Sequence, residues 1–344
     1  MDGGRGRLRM DKVMEIRVTV GLANHRPETV PAALERMYCH DALFLEEPPD
    51  PGFLPMLAGE LSVDDYLQTV DVEYPDFSRR MLAALRRLHA AGKKIVQVEP
   101  YLETLLGIHE RFASGQSPGD LPDGSLEAAV YAVERRASAA LLDFYRAATI
   151  GDFDQTVAAV KVFARADARR FGLRDGLRAA ALARRVTEFP TSYIEAGQIH
   201  VQLPTLLRRD LAPAVKVVSD HLMTTAVRRL GGRRSNLYGP GDRLTILYML
   251  HPGRRSPEED LLAARSLIYS KLIEKSEIQP GDADPFPHTR NELLTDALVR
   301  RLSLADCRRL FAVIRRLDTA AAGAAVRDDL GLDSDALSTR QPAR

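Results

Sequence analysis

The sequence predicts an α/β fold: a mixed, mostly parallel central sheet flanked by helices, followed by a helical C-terminal segment. Three observations carry this. Short apolar runs recur along the first 250 residues, most of them stopped by an acid, a glycine or a proline. The segments between the first runs are helix-compatible and long enough for the crossovers that parallel pairing requires. Beyond residue 256 the pattern is helical throughout.

Residues 1–11 are polar and basic and read as a disordered leader. No apolar core follows them, so they do not form a signal peptide. The first strand is expected at Ile16–Val20. The segment ETVPAALERMY is helix-compatible, and ALFLEEPP is a second strand closed by two acids and two prolines. Residues 50–75 are irregular, with a cap at Ser62. A helix over Asp76–Ala91 ends at Gly92, as a C-terminal glycine would end it. The run KKIVQVEP is the third strand, and residues 114–125 form a flexible connector.

Three helical segments follow, at 126–149, 152–171 and 174–187, as an insertion within an α/β domain spanning 12–252. The fourth strand is expected at Ser192–Ala196, with a short helix near Leu203–Arg209, a short strand at Ala214–Val218 and a last strand at Leu244–Leu250. Residues 253–319 form the helical C-terminal segment. It opens on Ser256 with Glu259 three residues on, a capping box. The Ala/Asp/Arg-rich tail at 320–344 is expected to fray.

Composition excludes several classes of function. The chain has 344 residues, 45% hydrophobic and 28% charged, with a formal net charge of +1. No global field draws it to nucleic acid or to an acidic membrane. No apolar run reaches the roughly 18 residues needed to span a bilayer. Cys39 and Cys307 lie far apart and outside any motif, which argues against a disulfide framework or a cysteine zinc site. The expectation is a cytoplasmic protein acting on a small-molecule or peptide substrate, with homo-oligomerisation left open.

In a parallel α/β sheet, ligands bind beyond the carboxyl ends of the strands. Asn24, His25 and Glu28 stand after the first strand, Glu46 and Glu47 after the second, and Glu99 and Glu103 after the third. Glu195, Gly197 and His200 stand at the fourth, and His251 after the last. Singly, each acid reads as a solvated loop residue or a cap, and His251, before Pro252, as a turn residue. Glu46 and Glu47 cannot both face inward if the strand alternation continues. His40, His89, His109 and His221 read as surface residues. Together the set points to a site in which His25 and His200 work with Glu46, Glu47 or Glu99. Imidazole and carboxylate at one rim can act as general base and acid. His25, Glu46, Glu99 and His200 equally suit a divalent ion such as manganese, zinc, cobalt or iron. The arginine-rich loop RRLGGRRSN (228–236) matches no phosphate-binding fingerprint and reads as a solvated loop or a lid.

Over residues 14–210 the order of these motifs resembles the TraB/Tiki superfamily, which includes erythromycin esterase-like and ChaN-like proteins. GQIH (197–200) resembles its second G-x-x-H motif, and GLANH (21–25) lies where the first belongs, with one residue more between glycine and histidine. LEEP and VEP resemble its strand-terminal glutamates. LRDGLRAAALA (173–183) resembles its arginine-bearing helix, with Arg174 in the arginine position and Leu173 where an acid is usual. The resemblance implies a hydrolase of ester, amide or peptide bonds, metal-assisted or using a histidine base. It also implies a role for Arg174 in pairing with a carboxylate or stabilising an oxyanion. The alternative it implies is a non-catalytic protein that binds haem, a metal or a small anion on the same fold.

Overall fold

A computed structural model describes residues 15–233, 236–253 and 256–332. The leader at 1–11 and the tail beyond 332 lie outside the described residues. Five strands form one sheet: β1 (Arg17–Ala23), β2 (Ala42–Leu45), β3 (Lys94–Gln97), β4 (Thr191–Gly197) and β5 (Lys216–His221). Their order is β3-β2-β4-β1-β5, and every pairing is parallel. Parallel strands covered on both faces read as continuous apolar runs. β2, ALFL, is buried at all its positions. The interior strand β4 pairs with β1 and β2, so three neighbouring strands deliver His25, Glu46 and Glu195 to one edge.

The chain between β1 and β2 forms α1 (Val30–Tyr38). Between β2 and β3 lie α2 (Phe53–Ala58), α3 (Val63–Leu67) and α4 (Pro75–Ala90). The insertion before β4 consists of α5 (Pro100–Ala113), α6 (Leu126–Ile150) and α7 (Phe153–Ala183). α7 is a single helix across the two segments expected at 152–171 and 174–187. Gly172 and Gly176 weaken a helix by only about 1 kcal/mol each. Packing decides instead: the face carrying Ala164, Ala168, Asp175, Arg178, Ala179 and Leu182 is buried.

After β4 come α8 (Leu203–Asp210), β5, α9 (Thr224–Arg229) and α10 (Pro240–Leu250). α10 corrects the strand expected at Leu244–Leu250. Gly239 caps it in extended conformation, Pro240 fills its first turn, and the Asp242 carboxylate accepts the Gly239 N–H at 3.0 Å. Leu244, Thr245, Tyr248 and Met249 are its buried positions, a helical spacing within a run too short to separate strand from helix by periodicity.

The C-terminal segment is α11 (Glu259–Leu272), α12 (Pro287–Val299), α13 (Leu304–Ile314) and α14 (Thr319–Asp329). At its start the Glu259 carboxylate accepts the Ser256 N–H at 2.8 Å. α14 occupies residues expected to fray. Asp318 caps it through the Ala321 N–H, and Ala322 and Val326 are buried. Cys307, Phe311 and Ile314 join α7, α10 and α11 in one apolar core. No helix among the described residues is long and apolar enough to cross a membrane.

This segment also holds the site loops. The Glu28 carboxylate accepts the N–H groups of His288 and Thr289, at 2.9 and 2.8 Å, at the start of α12. Glu277 accepts those of Asp76 and Phe77 at the start of α4. Carboxylates at helix N-termini satisfy orphan donors and favour the dipole. Asn24 Nδ2 donates to Glu292 Oε1 at 3.0 Å. Burial pushes the Glu292 carboxyl up to about 7. A carboxyl raised in the folded state binds its proton more tightly there. The fold is therefore expected to lose stability as pH rises from the unfolded carboxyl range through about 7. Denaturant midpoints at pH 5 and pH 8 should fall more between those values for wild type than for Glu292→Gln.

Gly21 carries a second structural prediction. It pairs with Glu195 across β1 and β4, and the Tyr193 ring lies over it: an added Cβ would sit 1.9 Å from Tyr193 Oη. Tyr193 is fully buried, and among the described residues its hydroxyl has no hydrogen-bond partner. Gly21→Ala should cost about 1–3 kcal/mol by overpacking. Tyr193→Phe should be nearly neutral, because it removes an unsatisfied hydroxyl. Urea unfolding of both variants checks this.

Candidate functional site

The site lies outside the carboxyl ends of β1, β2 and β4. His25 stands two residues past β1, in the loop tied down by Glu28. Its Nε2 meets Glu195 Oε1 at 2.8 Å, and its ring stacks on Phe77 with centroids 5.1 Å apart. Glu195 Oε2 accepts the Glu46 backbone N–H at 2.9 Å. One carboxylate thus spans all three strand ends. Burial disfavours the His25 proton, but the adjacent Glu195 outweighs it and raises the imidazole. Burial also works against the Glu195 charge, and His25 brings that carboxyl below its ordinary value.

Glu46 points inward. Its Oε1 accepts from Arg174 Nη2 at 2.9 Å and meets His200 Nε2 at 2.7 Å. Its Oε2 accepts the Gly197 N–H at 2.5 Å, with Arg178 Nη1 at 3.5 Å. Burial alone would raise Glu46; His200, Arg174 and Arg178 hold it well below the usual carboxylate range. Gly197 marks the crossing point. A Cβ there would lie 3.5 Å from both Glu46 Oε2 and His200 Cδ2, and 3.9 Å from His25 Cε1.

His200 is buried, with Nδ1 on Asp175 and Nε2 on Glu46. Burial opposes its charge, but Glu46 and Asp175 hold it up to about 9. Both ring nitrogens are therefore engaged, and His200 has none left for a metal. Glu99 is fully buried, 3.3 Å from Arg174 Nε and 3.9 Å from Arg178 Nε. Burial pushes its carboxyl up against the pull of the two guanidiniums. Arg174 pairs with Glu46 and Glu99 instead of lining the cavity. Glu47 turns the other way, as strand alternation demands. It accepts from Gln97 Nε2 at 3.0 Å and lines the mouth of the cavity. His251 lies at the C-terminal end of α10, and His40 is a buried structural residue bonded to Thr19 and the Arg36 carbonyl.

Asp175 and Arg178 stand outside the set predicted from sequence, and Glu195, placed at the rim there, takes a role not assigned to it: it fixes His25. Glu195 is an acid inside an otherwise apolar strand, a signal visible in SYIEAG. Asp175 and Arg178 follow Arg174 on α7; Arg178, at i+4, shares its face, and Asp175 shares that of Arg178 at i+3. Fully buried Arg178 donates to the Val98 and Glu195 carbonyls, at 3.0 and 2.6 Å, and so ties the β3 end to β4.

The carboxylates Glu46, Glu99, Asp175 and Glu195 face Arg174, Arg178 and protonated His200. His25, Glu46 and Glu195 also offer ligand atoms within 4.8 Å of one another. Above them is a cavity of about 150 Å³, with Leu45, Val72, Tyr74, Phe77, Met81 and Leu85 in its wall. The loop after α9 crosses nearby, where Tyr238 Oη donates to the Gln198 carbonyl at 3.0 Å; Arg234 and Ser235 lie outside the described residues.

No family model and no solved structure matches the chain. An uncharacterised protein of Archaeoglobus fulgidus is 30% identical to it over 276 residues, which cover 79% of this chain and 89% of the relative. The chain therefore belongs to the same family as this archaeal protein.

Proposed function

We propose that the chain is a hydrolase of ester, amide or peptide bonds, with His25 as general base and Glu195 as the residue that orients it. One observation carries this reading. A histidine with 32% of its side chain exposed stands in the wall of a cavity, its Nε2 fixed by a glutamate that a backbone N–H fixes in turn. That leaves Nδ1 to take a proton from water as the oxygen attacks a carbonyl carbon, and to return it to the leaving group. The resemblance to the TraB/Tiki superfamily supports the same class of reaction.

A second reading is metal-assisted hydrolysis, favoured by the convergence of His25, Glu46 and Glu195. One imidazole and two carboxylates suit a divalent ion such as manganese, zinc, cobalt or iron, which would supply an activated water. Against it, Glu46 already accepts from His200, Arg174 and the Gly197 N–H. Haem fits less well, because about 150 Å³ falls below the roughly 300–1,000 Å³ of typical ligand pockets.

The test is turnover of a panel of chromogenic esters, anilides and peptides before and after chelation. Turnover that survives chelation supports the histidine base. Turnover lost to the chelator and restored by one of the four metals supports the metal reading. A panel without turnover, with a ligand nevertheless bound at His25, would favour a binding protein.

A further inference from the structure

We infer that the His25 cavity takes a ligand with an alkylammonium group, and that Glu47 is the residue that selects it. The cavity wall carries four carboxylates, Glu46, Glu47, Glu73 and Glu195, and no lysine or arginine. Two of the four are answered from within the protein. Glu46 faces His200, Arg174 and Arg178, and Glu195 faces His25. Glu47 and Glu73 line the same wall and form no ion pair among the described residues. Arg26 stacks on the Tyr74 ring, 4.3 Å from its centre, but is not part of the wall.

An unpaired acid is ordinary on a solvated surface. Glu47 differs in the support beneath it. Gln97, at the end of β3, is only 7% exposed. Its Oε1 accepts the Asp50 N–H at 2.9 Å, and its Nε2 donates to Glu47 Oε2 at 3.0 Å. The bond from Asp50 fixes which end of the amide faces Glu47. A buried side chain thus sets one carboxylate oxygen and leaves Glu47 Oε1 for a donor at the cavity mouth. The rest of the wall suits the stem of an alkylammonium. Val72, Phe77, Met81 and Leu85 offer apolar surface, and about 150 Å³ admits a short alkyl chain. A flexible cation buries its methylenes and keeps its charged head at the rim. A bare metal ion would make no use of that apolar surface. Uncompensated carboxylates around a concave site attract cations and turn anions away.

Binding of the cation stands apart from the hydrolase reading. Only the further step, that the bound group belongs to the substrate cleaved beside His25, rests on that reading.

The experiment is calorimetric titration of the full chain, at low salt and with a chelator present, with butylammonium, butan-1-ol and butyrate. Wild type should bind butylammonium saturably, and about tenfold or more tightly than the alcohol or the anion. Glu47→Gln should weaken butylammonium about fivefold or more, and Glu47→Asp should lose less. Glu110→Gln, an exposed acid outside the cavity wall, should bind as wild type does. Lysyl and norleucyl p-nitroanilides then separate the inference from the hydrolase reading. A higher kcat/KM for the lysyl compound, with the difference lost in Glu47→Gln, supports both. Selective butylammonium binding without turnover of either compound supports the cation site and counts against the hydrolase. Turnover with no preference for the lysyl compound overturns the inference and leaves the hydrolase. Butylammonium bound no more tightly than butan-1-ol, or equally by wild type and Glu47→Gln, would also overturn it, as would no saturable binding.

Discussion

Glu46→Gln is expected to destabilise the fold by about 3–5 kcal/mol, the range found when one partner of a buried ion pair is removed. The Glu46 side chain is only 6% exposed and accepts from His200, Arg174 and the Gly197 N–H. A glutamine has one acceptor oxygen, and its amide nitrogen must face a donor on one side or the other. The substitution also leaves Arg174, Arg178 and His200 with less negative charge to face. Part of the loss should depend on pH. A histidine raised in the folded state contributes stability that is fully present below about 6.5 and is lost as pH rises through about 9. The gap between wild type and Glu46→Gln should therefore narrow above pH 9. Urea unfolding at pH 7 and pH 9.5 measures both effects. Glu47→Gln, at the exposed neighbouring position, should stay within about 0.5 kcal/mol of wild type.

Glu195→Gln is expected to cut turnover by about 10²- to 10⁴-fold, the range for loss of a correctly set general base. Glu195 accepts on both oxygens, from His25 Nε2–H and from the Glu46 N–H. Glutamine can accept on one side only. If its oxygen stays on His25, its NH₂ opposes the Glu46 N–H and shifts the β2 end. If its oxygen serves Glu46, its NH₂ donates to His25 Nε2, and the ring must carry its proton on Nδ1, the nitrogen needed as base. The second arrangement removes the proton acceptor, and the first displaces the β2 end and takes away the carboxylate charge that supports His25 as base. Steady-state kinetics with a substrate from the panel would show a fall in kcat with little change in KM.

Much of this was legible in the sequence because a parallel sheet brings its strand ends to one edge. Short apolar runs stopped by an acid, a glycine or a proline mark β1 to β4, and with them His25, Glu46 and His200. What the runs do not encode is pairing. That Gly21 lies opposite Glu195, with Glu195 bridging to the Glu46 N–H, depends on the order β2-β4-β1. The roles of Asp175 and Arg178 depend on α7 continuing through Gly172 and Gly176, which packing decides and local propensity does not. At α10 the sequence predicts a strand because a short apolar run has no period of its own. Its helix signal lay upstream, in Gly239, Pro240 and Asp242.

The proposed role of His25 in hydrolysis is tested by turnover of the ester, anilide and peptide panel by wild type and His25→Gln, side by side. With 32% of its side chain exposed, His25 can change without unfolding the chain, which unchanged circular dichroism would verify. Wild type should hydrolyse at least one panel member, and His25→Gln should lose about 10²-fold or more of that rate. Hydrolysis at equal rates in the two proteins would contradict a catalytic role for His25.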